Sequence, residues 1–266
     1  LNEDRAGAVF ESLGRLDGLV NGAGIVLAAG HGKRFASDLP KVMHLVGDQT
    51  MLSHVVRTGQ QAKLNPLIVV LRPGMKVGDS APNTIRVYQP PDDHGTAYAA
   101  EIGLDAIPSS IPTIAILYGD SPLVRPATVR GVINALTHAD AVAAIAWADV
   151  PEPGSFGRLR IDNSGHVQNI IEFPDATPTD LALTSVNAGP SAFQASWLRK
   201  NLSRVKPSEL SGERYLTKLV DLAIADGNRV AGHQIKDLEE TIGCDTPERL
   251  TLANIALQQR EEGSSL

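Results

Sequence analysis

The sequence predicts an α/β protein with a mixed, mainly parallel sheet that is flanked by helices on both faces. Short, almost wholly apolar runs recur through the first half of the chain, and stretches with helical spacing of apolar residues separate them. Strands that alternate with helices form βαβ crossovers and a parallel sheet. In the second half, apolar and polar residues alternate on either side of Asn163-Ser164-Gly165. This pattern predicts a β-hairpin and therefore added antiparallel strands.

The predicted elements follow one another in a regular order. Apolar positions between Val9 and Val20 recur at helical spacing and predict a helical extension over residues 1–20. The predicted strands cover residues 25–29, 67–71, 85–88, 113–118 and 141–147. The predicted helices cover residues 51–62, 96–106, 127–137, 213–225 and 247–258. We expect one domain over residues 21–260 and a disordered tail over residues 261–266.

Composition excludes several classes of protein. The chain has 266 residues, 42% of them hydrophobic, which is enough to bury a substantial core. A formal net charge of -6 argues against nonspecific binding to nucleic acid or to an anionic membrane. The only cysteine, Cys244, cannot form an internal disulfide, and the seven histidines show no metal-ligand spacing. No apolar run is long enough to span a membrane and no secretory signal is present, so we expect a cytoplasmic protein.

The stretch IVLAAGHGKRFASDLPKVMH, residues 25–44, combines a predicted strand with two glycines and several basic residues. Gly30 and Gly32 allow backbone N–H groups to approach a phosphate, and Lys33, Arg34 and Lys41 can neutralise its charge. The spacing fits neither the dinucleotide fingerprint nor the ATPase loop, because each lacks one of its glycines here. Taken alone, the stretch leaves two interpretations open: a triphosphate site, or a turn with solvated basic residues.

Seven segments of the chain resemble, in order, the motifs of the sugar-nucleotide pyrophosphorylases. They are LAAGHGKRFASDLPKVMH, YQPPDDHGTAYAA, LYGDSPLV, FGRLRID with NIIEFPDAT, SVNAGPSAF, GERYLTKLVDLA and IGCDTPERL. The ending PKVMH is most similar to the bacterial N-acetylglucosamine-1-phosphate uridylyltransferases. The resemblance implies a Rossmann-like nucleotide-diphospho-sugar transferase fold. It also implies a reaction in which a sugar 1-phosphate oxygen attacks the α-phosphorus of a nucleoside triphosphate and pyrophosphate leaves.

The resemblance assigns roles residue by residue. Arg34 would hold the departing pyrophosphate, and Lys41 would bridge the reacting phosphates. Asp120 and Asp245 would bind Mg²⁺, which prefers oxygen ligands. The implied nucleotide-binding residues are Leu27, Ala28, Ala29, Gly30, Gly32, Lys33, Gln89, Gly95 and Thr96. The implied sugar-phosphate-binding residues are Tyr118, Gly157, Glu172 and Asn187.

Several positions depart from the family's pattern. Lys33 stands where Thr is usual, Asp245 where Asn is usual, and Asp92-Asp93-His94 lengthens the base-recognition segment by one residue. The other departures are Phe156, Pro174, Ala188 and Lys218. These changes leave the base open between uracil and another pyrimidine, and they leave the sugar open. They also motivate two alternatives. One is a noncatalytic homologue that senses a nucleotide or sugar phosphate, and the other is a pyrimidine nucleotidyltransferase for another sugar or alcohol phosphate.

We expect a nucleoside triphosphate and a sugar 1-phosphate as partners, and neither nucleic acid nor a membrane. The chain has no hexapeptide repeats of the kind that carry acetyl transfer in bifunctional members of the family. If the chain is the complete protein, we expect nucleotidyl transfer alone; the sequence equally allows a fragment of a longer protein, and a homo-oligomer is one state that it leaves open.

Overall fold

Strands carry most of the architecture in the computed structural model, which describes residues 21–30, 32–35, 37–91 and 95–263. Nine strands of these residues form one sheet, and β2 (Leu45–Val46) and β3 (Gln49–Thr50) form a separate ribbon. The sheet strands are β1 (Gly22–Leu27), β4 (Leu67–Leu71), β5 (Ile85–Tyr88), β6 (Thr113–Tyr118), β7 (Ala143–Asp149), β8 (Arg158–Ile161), β9 (Val167–Ile171), β10 (Ser185–Gln194) and β11 (Val230–Gln234). The main path of the sheet runs in the order β11-β7-β10-β6-β1-β4-β5.

The sheet is mixed and mainly parallel, as predicted. Strand β1 pairs in parallel with β4 and β6, β4 pairs in parallel with β5, and β7 pairs in parallel with β11. Strand β10 runs antiparallel between β6 and β7. The predicted hairpin is confirmed as β8 and β9, and β8 joins the sheet through β10.

Helices cover both faces of the sheet. One face packs against α1 (Met51–Gln61) and α3 (Pro126–His138), and the other against α2 (Thr96–Asp105), α5 (Ala195–Asn201) and α6 (Lys218–Ala225). Alternate residues of β1 belong to opposite cores: Ile25 to the second face and Val26 to the first. Because both faces are buried, the strand is apolar at every position rather than at every second one.

A third, smaller core connects the end of the chain to the first loop. It contains Phe35, Val46, Met51, Leu123, Cys244, Ala253 and Ala256. Two of these residues belong to α7 (Pro247–Gly263), while Phe35 lies in the loop that follows β1. This core therefore holds the segment before α7 beside the glycine-containing loop.

The observed elements differ from the predicted ones at several boundaries, and the structure adds elements that were not predicted. Strand β1 begins at Gly22 and ends at Leu27, since the chain then leaves the sheet to form the loop. Helix α6 begins at Lys218 rather than at residue 213, because the preceding residues are bonded to the start of α2. The short helix α4 (Pro178–Leu181) was not predicted; Thr177 and Asp180 form its capping box.

The predicted tail at residues 261–266 is wrong over residues 261–263, which are the last residues of α7. Arg260 anchors this end of the helix: it donates to Glu239 at 2.6 Å and to the Leu123 carbonyl oxygen at 2.8 Å. Residues 264–266 and the predicted extension at residues 1–20 lie outside the described residues. Among the described helices, none has the length and apolar character that crossing a membrane requires.

Candidate active site

A cavity of about 920 Å³ opens at the carboxyl edge of the sheet, beside the loop that follows β1. Ligands of open α/β sheets bind at this edge. The predicted site residues that line it are Leu27, Ala28, Ala29, Gly30, Gly32, Lys41, Gln89, Gly95, Thr96, Tyr118 and Asp120. The structure therefore brings residues from five separate segments of the chain around one space. Their individual roles remain predictions.

The loop after β1 is folded back on itself beside this cavity. Gly32 has φ +60°, and a Cβ atom there would lie 2.8 Å from the Cβ atom of Lys41. A Cβ atom on Gly30 would meet nothing within 4 Å. Lys41 begins a 3-10 turn directly after Pro40. The bare backbone at Gly30 thus faces open space, while the close contact at Gly32 brings Lys41 to the same end of the cavity.

Two ion pairs join the predicted catalytic cations to the predicted metal ligands. Lys41 Nζ pairs with Asp120 Oδ2, and Arg34 Nη1 pairs with Asp245 Oδ2. The Lys41 and Asp120 side chains are 16% and 25% exposed, whereas the Arg34 side chain is 62% exposed. The backbone N–H of Cys244 donates to the Asp120 carbonyl oxygen at 2.7 Å, so the two carboxylates lie on adjacent chain segments.

The two carboxylates of these ion pairs fit a hard divalent cation, although only Asp120 lines the cavity and Arg34 and Asp245 lie outside its lining. Asp120 and Asp245 offer carboxylate oxygens only, and Mg²⁺ is commonly held by one or two carboxylates with the remaining ligands from substrate phosphates and water. Burial raises the pKa of the neighbouring Cys244 to about 12, and a hard cation prefers carboxylate oxygens to a thiol sulfur. No group of three or more His, Cys, Asp or Glu side chains in the described ranges could hold a metal alone.

Arg249, at the start of α7, supports the second carboxylate. Its Nε lies 3.5 Å from Asp245 Oδ1 and donates to the Gly243 carbonyl oxygen at 2.6 Å. Its guanidinium carbon lies 5.0 Å from the centre of the Phe156 ring. Arg249 therefore connects the loop that carries Asp245 to the segment that precedes Gly157.

The structure shows why position 95 must be glycine, which the sequence did not reveal. Its φ is +114°, and a Cβ atom there would lie 2.4 Å from the Arg214 carbonyl oxygen. The Arg214 carbonyl oxygen accepts from the backbone N–H of Ala97 at 2.9 Å, and Thr96 Oγ1 accepts from the backbone N–H of Leu216 at 2.8 Å. These contacts dock the segment before α6 on the start of α2, and they form one wall of the cavity.

The other three predicted sugar-binding residues, Gly157, Glu172 and Asn187, form a second group outside the lining of the cavity. The backbone N–H of Asn187 donates to the Gly157 carbonyl oxygen at 2.9 Å, and Glu172 Oε2 lies 3.5 Å from where a Cβ atom of Gly157 would stand. Glu172 accepts a hydrogen bond from Thr217 Oγ1. Burial raises the pKa of Glu172, and the Thr217 hydrogen bond and the Lys218 charge oppose that shift.

Tyr118 lies between the two groups. Burial raises its pKa above the ordinary tyrosine value, and the negative charges of Glu172 and Asp120 add to this shift. The phenol therefore stays protonated and can donate a hydrogen bond between the predicted nucleotide-binding and sugar-binding residues.

Sequence reasoning missed part of the cavity wall. Unpredicted lining residues include Arg72, Pro73, Gly74 and Met75 after β4, together with Ser211 and Glu213. A Pro-Gly pair directly after a buried strand signals a tight turn at the ligand-binding edge, and that signal was available. The side chain of Lys33 and the residues Asp92-Asp93-His94 lie outside what the structure describes.

The sequence pattern of the MobA-like NTP transferase domain family matches residues 24–202. The chain belongs to this family. Among curated relatives of this NTP transferase domain, bifunctional protein GlmU of Hyphomonas neptunium is 34% identical over 90% of the chain and 52% of the relative. GlmU of Alkalilimnicola ehrlichii is 35% identical over 89% of the chain and 51% of the relative. The NTP transferase chain thus spans about half the length of these relatives.

Solved structures confirm the predicted fold of this NTP transferase domain. A structure described as a glucose-1-phosphate thymidylyltransferase from Bacillus anthracis matches with a TM-score of 0.69 and 19% identity, over 88% of this chain and 94% of that one. A UDP-glucose pyrophosphorylase matches with a TM-score of 0.71 and 16% identity, over 90% of this chain and 99% of that one. At these identities the likeness concerns the fold alone.

Proposed function

We propose that this chain transfers a nucleotidyl group from a nucleoside triphosphate to a sugar 1-phosphate, giving a nucleotide sugar and pyrophosphate. One observation carries the proposal: Lys41 and Asp120 pair in the lining of the 920 Å³ cavity, and Arg34 pairs with Asp245 outside that lining, on a segment that bonds to the Asp120 backbone. Two cations and two carboxylates at a glycine-containing loop match the charges of a triphosphate and its metal. Membership in an NTP transferase family supports the same reaction class.

The proposed mechanism needs no nucleophile from the protein, because the attacking phosphate oxygen is already anionic. The barrier is charge repulsion and misalignment between two phosphorylated substrates. Lys41, near the reacting phosphates, offsets the negative charge that builds up on the α-phosphate. Arg34, which is exposed in the loop after β1, holds the departing pyrophosphate. A Mg²⁺ ion held by Asp120 and Asp245 would supply further charge neutralisation and alignment.

Uridine triphosphate and N-acetylglucosamine 1-phosphate are the proposed substrates. The ending PKVMH and the order of the seven motifs support this choice, as do relatives named GlmU at 34% and 35% identity. Gln89 is 8% exposed in the cavity wall, and its amide offers both a donor and an acceptor to a pyrimidine edge. Glu172 and Asn187 would hold sugar hydroxyl or N-acetyl groups.

The test is pyrophosphate release in the presence of Mg²⁺. UTP, dTTP, CTP, ATP and GTP are crossed against the 1-phosphates of N-acetylglucosamine, glucose and galactosamine. We expect turnover with UTP and N-acetylglucosamine 1-phosphate, and its loss in Asp120→Asn. Asp226→Asn is the matched control, because Asp226 pairs with Arg204 on the surface. Turnover that survives in Asp120→Asn would contradict the assigned role of Asp120.

A noncatalytic sensor is the second candidate, and the environment of Lys218 motivates it. Lys218 Nζ lies 3.4 Å from Asp221 and 4.0 Å from Asp175, and its charge acts on the half-buried Glu172. This places a positive charge on the sugar side, where the family usually has an acid at position 218. Triphosphate binding without pyrophosphate release from any pair of substrates would favour the sensor over the enzyme.

A further inference from the structure

Arg72 is a cavity-lining residue to which the proposed reaction gives no role. It directly follows β4 at the carboxyl edge of the sheet and lines the cavity together with Gln89 and the glycine loop. Its Nε is buried and has no hydrogen-bond partner among the described residues. A buried donor without a partner is costly, which indicates that a ligand satisfies it.

A tight turn fixes the backbone of Arg72. The N–H of Met75 donates to the Arg72 carbonyl oxygen at 3.2 Å, and Gly74 has φ +78°. Proline at the second position and glycine with positive φ at the third are the residues that a type II turn requires. The position from which the Arg72 side chain enters the cavity is therefore held rigidly.

The sheet places Arg72 at the end of the cavity opposite the reacting phosphates. Leu71 pairs with Tyr88, and the Gln89 backbone N–H donates to the Leu71 carbonyl oxygen at 2.8 Å, so Arg72 and Gln89 stand side by side. On the other side, β1 separates β4 from β6, the strand that precedes Asp120. Arg72 and Asp120 therefore follow strands that lie two interstrand spacings apart, which is about 10 Å. A nucleotide with its α-phosphate near Asp120 would extend its base toward Arg72 and Gln89.

We propose that Arg72 determines base specificity by donating to a carbonyl oxygen of the bound base. A guanidinium has donors only, so it can bind a base through an acceptor but not through an exocyclic amine. Adenine accepts hydrogen bonds only through ring nitrogens, whereas uracil and thymine each have two carbonyl oxygens, which project from the ring and can accept from a guanidinium. Arg72 therefore favours a carbonyl-bearing base over adenine. This inference rests on the proposed function only in requiring that the cavity binds a nucleoside triphosphate.

The test is equilibrium binding to the full chain, by calorimetry in Mg²⁺, of UTP, ATP and inorganic tripolyphosphate. Arg72→Met keeps the length of the side chain and removes its donors, and Arg72→Lys keeps a charge without the planar fork. Lys76→Met is the matched control, because Lys76 is an exposed cation that follows the same turn. In Arg72→Met we expect UTP to bind about 10- to 100-fold more weakly, since one charged hydrogen bond is lost, while ATP and tripolyphosphate change less than about twofold. Arg72→Lys should fall between the wild type and Arg72→Met.

Three outcomes would overturn the inference. An equal loss for tripolyphosphate would make Arg72 a phosphate contact, and an equal loss for ATP would make it a contact with the ribose or with the cavity wall. Unchanged UTP binding in Arg72→Met would show that the side chain does not contact the nucleotide. In each of these cases the wild type still binds UTP, so the proposed function stands. A wild type that binds no nucleoside triphosphate would instead overturn both.

Discussion

The ion pair between Lys41 and Asp120 should weaken the binding of Mg²⁺ to the nucleotide-free protein. The ammonium group occupies the carboxylate that Mg²⁺ needs, so a metal ion must displace it unless phosphates offer Lys41 another partner. At an effective dielectric constant of about 20, unit charges about 4 Å apart attract by about 4 kcal/mol. Both side chains are partly exposed, at 16% and 25%, which reduces the effective coupling to about 1–2 kcal/mol. Lys41→Met should therefore raise the affinity for Mg²⁺ alone by about 5- to 30-fold.

The measurement is calorimetric titration of Mg²⁺ into the nucleotide-free chain, with pyrophosphate release followed in parallel. The same variant should lose most of its turnover, because the charge that stabilises the reacting phosphates is gone. Lys206→Met is the control, since it removes one exposed positive charge away from the described pairs. Unchanged or weaker Mg²⁺ binding in Lys41→Met would refute the reasoning, because it would show that the ammonium does not compete for Asp120.

Three further predictions concern the walls of the site. Gly95→Ala should lower the free energy of unfolding, measured by urea titration, by about 2–4 kcal/mol, because its Cβ atom would stand 2.4 Å from a carbonyl oxygen. The control is Gly212→Ala, which should cost only about 1 kcal/mol, because Gly212 has a positive φ but open space around it. Burial raises the pKa of Glu172, so the folded state binds more protons than the unfolded state between the ordinary glutamate pKa and the raised one. Its contribution to stability is therefore lost as pH rises through that window, and Glu172→Gln should flatten this part of the stability–pH curve; a curve identical to that of the wild type would contradict it. Arg249→Lys should raise the Mg²⁺ concentration for half-maximal turnover several-fold with little change in kcat, because Arg249 Nε no longer holds the loop that carries Asp245. The control Arg130→Lys, in α3, should change neither the Mg²⁺ requirement nor kcat.

The sequence predicted the parallel part of the sheet well because both of its faces are buried. Strand β4 is apolar at every position and β6 is apolar from Ile114 to Leu117, and a proline precedes each of them, so their limits could be read directly. Strand β11 and the helix α5 escaped prediction. Gly232 and His233 interrupt the apolar pattern of β11, and its place beside β7 depends on pairing with a distant segment. Such tertiary contacts are invisible to local periodicity.

Motif resemblance predicted the residues of the candidate site. It did not predict the interactions between residues of different motifs. No local pattern connects Arg34 to Asp245, which lie 211 positions apart in the sequence. Gly95 was assigned to nucleotide binding, and the structure adds a close contact with the Arg214 backbone that no motif indicates. Arg72 lies in none of the seven motifs, and only the fold shows that the end of β4 borders the cavity.

The segment after residue 202 completes the site, although the family match ends there. Residues 214–216 bond to the start of α2, and the Cys244 backbone N–H donates to the Asp120 carbonyl oxygen. This segment therefore contacts the wall of the cavity at two separate points. The third core then fixes Cys244 between Phe35 and α7. A family defined over residues 24–202 supplies Lys41 and Asp120, but the partner of Arg34 comes from beyond it. The charge balance of the proposed metal site is therefore a property of the whole described chain, and substitutions in α7 should alter metal binding without touching the matched region.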